Sequence, residues 1–308
     1  MSLSRVGLTG VETVARIGVD GRSAQLFAAR LDCFLEPRPG AHPGRFEDVV
    51  DEAVRELVGD DAGIRAERLA ERLAERIRER QGARRAMVTI AARFPERRPA
   101  PVSATPTQEI STLHAGAVAS ERGTRRMVGV SVQGVTTSPY AQDVLVAQAR
   151  ERLAADGFSK ARIARIVDAI PVATHDQLAI GTLHVGCHAR SAVEFDAAVL
   201  LAIVEAAMSS EIFELMKRSD EAAVVERAHR RPRFVEDCVR AMIAGVAERF
   251  ADVPDDVFVS AAQENLETIH GHHVVAERAG LLGDLRRELA TGRPVAPRTS
   301  MREWLEAI

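Results

Sequence analysis

The stretch that decides the fold is Val11-Glu12-Thr13-Val14-Ala15-Arg16-Ile17-Gly18-Val19, then Asp20-Gly21, then Ser23-Ala24-Gln25-Leu26-Phe27-Ala28-Ala29-Arg30-Leu31-Asp32-Cys33-Phe34-Leu35. Apolar and polar positions alternate on both sides of an Asp-Gly pair, which suits a tight turn, so Val11–Val19 and Ser23–Leu35 read as an antiparallel hairpin. Two helices follow, because the apolar period changes from two to 3.6. Phe46–Val58 puts Val49, Val50, Ala53, Val54 and Leu57 on one face, and Ala66–Gln81 does the same with Leu69, Leu73 and Ile77. The Arg/Glu alternation of the second reads as a solvated face supported by pairs such as Arg72 and Glu75.

Ala86–Phe94 is an apolar strand. Pro95–Pro106 should not be a central strand, because its prolines lack ladder donors. A strand follows near Glu109–Ala119, and the polar run Ser120–Arg126 marks a module boundary, dividing the chain into 1–122 and 123–308. Beyond it, Met127–Val135 and Ala179–Arg190 read as strands around a helix at Ala141–Ala155. Helices near Val193–Met216 and Phe234–Phe250, and strands near Val257–Glu264 and Ile269–Arg278, complete the second module. Two strands, two helices and two strands thus occur twice, an α+β pattern of antiparallel sheets with helices on one face. Such small sheets close their edges by association. Leu281–Ile308 is a C-terminal appendage, helical at Leu282–Leu289 and Met301–Ile308.

The chain has 308 residues, 46% of them hydrophobic, enough for a substantial core in one large domain or two modest ones. Its net charge of -3 gives no general attraction to nucleic acid or an anionic membrane. An anionic ligand must therefore meet a local basic site. Cys33, Cys187 and Cys238 are too few and too scattered for a disulfide framework or a thiolate zinc cluster, which fits a reducing cytoplasm. No stretch approaches the length of a membrane span.

His175 lies in the short polar break Thr174-His175-Asp176-Gln177, after Pro171 and before a predicted strand, where a side chain reaches a shared cleft. His270 and His272 are spaced by two, so on a strand both imidazoles project from one face while His273 points to the other. That allows two ligands, or one ligand and one proton donor. Glu236, after Phe234 and Val235 at the start of an amphipathic helix, can accept two parallel donors from a guanine edge, or can simply face the helix dipole. Glu221, in Lys217-Arg218-Ser219-Asp220-Glu221, reads as a loop charge or a metal ligand. His42 and Arg45 precede a helix, where an anion would meet backbone donors and a guanidinium; a structural turn is the other reading. Imidazoles near strand ends and carboxylates on helical sequence together suit one divalent metal beside an anchored polar substrate.

Gly40-Ala41-His42 through Arg45-Phe46, Gly134-Val135-Thr136-Thr137, Thr174-His175-Asp176-Gln177, Leu215-Met216-Lys217-Arg218 through Glu221, Pro232-Arg233-Phe234-Val235-Glu236-Asp237 and Glu267-Thr268-Ile269-His270-Gly271-His272 recur in one order. As a set they resemble the type IB GTP cyclohydrolases and their archaeal relatives. The resemblance implies tandem tunnelling-fold modules, a homotetramer with active sites at subunit interfaces, and a cytoplasmic enzyme. Its reaction would open the imidazole ring of GTP to a dihydroneopterin phosphate and formate. It also implies metal ligands at His175, Glu221 and His270 or His272, proton transfer by histidine, a purine anchor at Glu236, and triphosphate contacts from Arg45, Lys217 or Arg218. Where the family carries Cys-Pro-Cys, this chain has Ser138-Pro139-Tyr140. A serine hydroxyl is a weak neutral ligand beside a thiolate. The remaining nitrogen and oxygen set, with Ser138 in it and Tyr140 as a possible phenolate, suits iron(II) first, with manganese or zinc as alternatives. The change at Ser138 and Tyr140 also suggests two other readings: altered chemistry on a purine nucleotide or pterin, and a purine-binding protein without turnover.

Overall fold

A computed structural model describes residues 3–18, 24–38, 45–58, 64–295 and 299–308. The Asp20-Gly21 turn and His42 lie outside them. In chain order the elements are β1 (Val6–Gly18), β2 (Ala24–Glu36), α1 (Phe46–Val58), β3 (Ile64–Arg65), α2 (Ala66–Gln81), β4 (Arg85–Pro99), β5 (Pro106–Ser120), β6 (Gly123–Thr137), α3 (Pro139–Ala155) and α4 (Lys160–Ala169). They continue as β7 (Asp176–His188), α5 (Ala197–Ala207), β8 (Ser210–Glu211), α6 (Arg218–Arg230), α7 (Val235–Arg249), β9 (Phe258–Leu266), β10 (Val274–Leu281), α8 (Leu282–Thr291) and α9 (Met301–Glu306).

The strands join in one sheet of order β10-β9-β7-β6-β5-β4-β2-β1-β3, with β8 against the end of β6. All long neighbours are antiparallel; only the two-residue β3 runs parallel, beside the end of β1. The sheet continues through the turn Ser120–Gly123 that joins β5 to β6. In each half, four long sequential strands pair in order and the core helices enter between the second and third, α1 and α2 in the first half and α5 and α7 in the second, while α3 and α4 lie between β6 and β7. Alternation decides the faces: Leu113, Ala115 and Ala117 of β5, Val128, Val130 and Val132 of β6, and Leu183 and Val185 of β7 are buried in the core. The helices close that core with the residues that their spacing predicts, Val50 and Ala53 of α1 and Leu69, Leu73 and Ile77 of α2. Gly82 ends α2 at φ 56, and its N–H returns to the carbonyl of Glu79.

Several expectations need correction. The proline segment is not outside the sheet: β4 runs to Pro99 and pairs with β5 through Pro95↔Ile110 and Pro99↔Pro106. This is tolerated because β2 stops pairing at Ala92, so Pro95 and Pro99 stand where β4 has a neighbour on one side only. The charged face of α2 is not simply solvated. Glu67 is buried, Glu71 meets the buried Arg126 at 3.2 Å, and Glu75 accepts from Thr124 rather than pairing with Arg72. Residues 193–216 hold the shorter α5 and then β8, while α4 and α6 form where no helix is predicted. The last strand begins at Val274, leaving the three histidines of 270–273 in a loop.

The C-terminal appendage is docked. Trp304 of α9 stacks on Phe258 at 4.9 Å between ring centroids, and a Cβ at Gly186 would lie 2.6 Å from its ring. Arg85 donates to the carbonyls of Glu306 and Ile308. On the sheet face opposite the core helices, His114 Nε2 meets Ser131 Oγ at 2.9 Å, and that hydroxyl meets Thr182 Oγ1 at 2.8 Å. The His184 ring lies 5.4 Å from His114, over Gly129, where a Cβ would come within 2.3 Å of it. Burial first, and the neighbouring His114 second, push the pKa of His184 down to about 4.

Candidate functional site

The register brings three chain breaks together at one end of the sheet. Thr137 of β6 pairs with Asp176 of β7, and Leu178 pairs with Leu266 of β9. The residues just beyond those ends, Ser138, His175 and Glu267, therefore meet although 37 and 92 positions separate His175 from Ser138 and from Glu267. Ser138 donates its backbone N–H to the His175 carbonyl at 3.3 Å, and Thr268 Oγ1 donates to the Asp176 carbonyl at 2.9 Å.

Within this junction a polar relay is built from buried groups. Thr136 Oγ1 donates to Gln177 Oε1 at 3.1 Å, and Gln177 Nε2 donates to Glu267 Oε1 at 3.0 Å. The other carboxylate oxygen of Glu267 is buried without a hydrogen-bond partner and lies 3.6 Å from His175 Nε2. That distance is beyond a hydrogen bond. A buried carboxylate oxygen left unpaired is costly, which singles it out as waiting for a proton, a cation or a ligand donor.

His270 joins the pair from the loop after β9, its ring centroid 6.4 Å from that of His175 and edge-on to it. The His272 ring stacks on His270 at 5.1 Å, and His273 Nδ1 accepts from the Glu267 backbone N–H. The loop thus gathers these imidazoles by its own turn, without the strand alternation expected for them. Glu267 and Gln177 were not singled out as site residues by sequence reasoning. The available signal was their place: one follows a strand end beside the histidines, the other follows His175 by two.

The remaining candidates do not converge on this pair. Among the described residues no group of three His, Cys, Asp or Glu side chains gathers as a metal site. Glu221 is exposed in the first turn of α6. Its neighbour Asp220 is the buried one, with bonds from the backbone N–H groups of Val102, Ser103 and Lys217 and from Ser103 Oγ. Burial raises its pKa, but those four donors outweigh burial and hold it well below the usual range. Asp220 thereby ties the β4–β5 turn to α6. Lys217 and Arg218 are exposed at the start of α6, about 18 Å along the axis from its other end. It is that other end which touches the site, through His229 Nε2 and the Thr174 carbonyl at 3.2 Å.

Glu236 is exposed in the first turn of α7, at the rim of a groove of about 650 Å³ between α7, β10 and α8 that includes neither His175 nor His270. Tyr140 is 73% exposed on the first turn of α3. Arg45 has φ 59 and pairs loosely with Asp48 at 3.8 Å. It follows β2, which leaves the sheet at the end opposite to the start of β7. Cys33, Cys187 and Cys238 are free and buried, and burial pushes the thiols of Cys33 and Cys238 up to about 12, so none is a ready thiolate. No helix among the described residues is long and apolar enough to cross a membrane.

Comparison with known proteins gives the site its context. Solved structures with the same fold include the uricase of Arthrobacter globiformis, with a TM-score of 0.54 at 10% identity, covering 91% of this chain and 94% of that one. A uricase from Bacillus fastidious has a TM-score of 0.53 at 9% identity, covering 96% and 99%. At such identities the likeness concerns the fold alone. Sequence relatives are nearer: the protein named GTP cyclohydrolase MptA of Methanococcus aeolicus is 32% identical over 297 residues, 94% of this chain and 96% of its own. Its namesake from Methanococcoides burtonii is 33% identical over 297 residues, 94% and 93% of the two chains. The pattern of the family described as Type I GTP cyclohydrolase folE2 matches residues 1–276, and the chain belongs to that family of GTP cyclohydrolases.

Proposed function

We propose that this enzyme opens the imidazole ring of GTP by hydrolysis, releases C8 as formate, and lets the freed diamino edge condense with the rearranged ribose, with loss of water, to a dihydroneopterin phosphate. The observation that carries the reading is the His175–Glu267 pair with its orphaned carboxylate oxygen, in a chain of the GTP cyclohydrolase family. Ring opening needs water delivered to C8 of guanine and protons moved to the two ring nitrogens as their bonds to C8 break. Glu267, oriented by Gln177 and Thr136, accepts a proton from water, and His272, stacked on His270, carries protons to the opening ring. Glu236 holds the guanine edge through paired hydrogen bonds.

The donor types suit a divalent cation, iron(II) first and manganese or zinc as alternatives: His175 and His270 would each offer an imidazole nitrogen, and Glu267, kept as proton acceptor, would stand beside the water rather than bind the cation. Such a cation acidifies water at neutral pH. Because one chain gathers too few ligands, further donors such as Glu221, and the anchor Glu236, come from neighbouring copies in a homotetramer of tandem tunnelling-fold modules divided near residue 122. Support for that assembly comes from the open edge at β10, where Val275 is 59% exposed, and from the repeated element order.

The test is anaerobic purification, metal reloading with iron, manganese or zinc, and mass spectrometry of the products formed from GTP. Formate and a dihydroneopterin phosphate are expected, and Glu267→Gln should slow the release of both by about 10²–10⁴. Metal-replete protein that leaves GTP untouched overturns the reading. A product that retains the formyl group replaces it with partial ring opening.

A further inference from the structure

The connection from β6 to β7 spans residues 138–175 and forms, with the end of α6, a groove of about 730 Å³. Its volume is in the range of small-molecule sites, about 300–1,000 Å³. Three guanidiniums line it, from Arg150 of α3, Arg165 of α4 and Arg230 of α6, with His229 beside them and Asp168 as the acidic residue of the lining. Arg230 is held by Glu226 at 2.8 Å and by the Asp168 carbonyl at 3.1 Å. Arg150 and Arg165 are exposed and have no hydrogen bond or ion pair among the described residues. Unpaired guanidiniums gathered on one concave wall in a chain of net charge -3 call for an anion.

The groove is also tied to the segment that carries His175. Gln142 Nε2 donates to the carbonyls of Val172 and His229, at 2.7 and 2.6 Å, which fixes α3, the 170–172 segment and α6 relative to one another. His229 then bonds the Thr174 carbonyl, one residue before His175. We propose that this groove binds phosphate and takes the polyphosphate tail of the nucleotide whose base is processed at His175 and Glu267. The assignment rests on the function proposed above and replaces Lys217, Arg218 and Arg45 of the same chain as partners of the tail. A planar guanidinium meets two phosphate oxygens at once, and the two free forks of Arg150 and Arg165, beside the paired Arg230, match a chain of phosphates better than a single carboxylate.

Inorganic triphosphate is the probe, titrated calorimetrically into the full chain and into Arg150→Ala/Arg165→Ala, Arg150→Lys/Arg165→Lys and Glu267→Gln. The alanine pair should weaken triphosphate binding at least tenfold, the lysine pair about threefold, and Glu267→Gln should leave it unchanged. In Glu267→Gln, triphosphate should also displace GTP. Unchanged triphosphate affinity in the alanine pair overturns the site. Triphosphate that binds beside GTP without displacing it overturns its use for the substrate tail, and points to a free polyphosphate or second nucleotide as the source. Arginine-dependent triphosphate binding in a protein that cannot open GTP would leave the groove standing and reject the ring-opening reading, so the two failures are separable.

Discussion

The two halves of the sheet share an order of elements and differ in their connections. In the N-terminal half, β1 passes to β2 through residues 19–23, and β4 passes to β5 through residues 100–105. In the C-terminal half the corresponding connections are residues 138–175, carrying α3, α4 and His175, and residues 267–273, carrying Glu267 and the histidines. The strand ends that flank all four lie at the same end of the sheet, because sequential antiparallel strands return there. The lesson is that a common scaffold supplies the positions while connection length and chemistry supply the site. The N-terminal half contributes support: its β4–β5 turn is clamped by Asp220, and its helix α2 is tied by Glu71 to Arg126.

The sharpest way to break this comparison is to remove chemistry from one connection and not from its counterpart. Glu267→Gln should lower kcat for formate release from GTP by about 10²–10⁴, while Val102→Ala, in the opposite connection and exposed, should change it less than about twofold. Equal effects would deny the asymmetry. The far end of the same half is held by packing instead. Trp304→Ala should cost about 3–5 kcal/mol of stability in urea titration, because it removes a buried ring stacked on Phe258.

The seam between the halves supplies a pH test. His184 has its pKa lowered to about 4, by burial and then by His114, so folding favours the neutral ring. Its contribution is whole above the ordinary imidazole value and is lost as pH falls from there through about 4, since the unfolded chain takes up the proton first. The loss is at most about 3 kcal/mol. Melting temperatures should fall more steeply between pH 7 and pH 4 in the natural protein than in His184→Gln; parallel curves would show that the seam does not titrate. The smallest effect expected is that of Tyr140→Phe, less than about twofold in formate release, because that side chain is 73% exposed.

Much of this molecule was legible in advance where local period and composition speak. The bounds of α1 and α2 follow from their apolar spacing, and β6, β7 and β9 from their apolar runs. Less legible were features that depend on neighbours. Pro95 and Pro99 enter β4 because β2 stops pairing with it at Ala92. The α6 sequence Arg218–Arg230 has only Asp220, Val224 and Ala228 as buried residues, too thin a stripe to announce a helix. Glu267 looked like one acid among many until its neighbours were known.

By itself the sequence determined the family, the α+β class with its first two helices, and which residues carry imidazole and carboxylate groups, because these are properties of residue type and of spacing along the chain. Only the tertiary structure decided that Glu267 meets His175 through Gln177, that the start of α6 lies a helix length from the site while its end touches Thr174, and that Arg150, Arg165 and Arg230 share one groove. Those facts come from sheet register and helix packing, which join positions far apart in the chain; no local period encodes them.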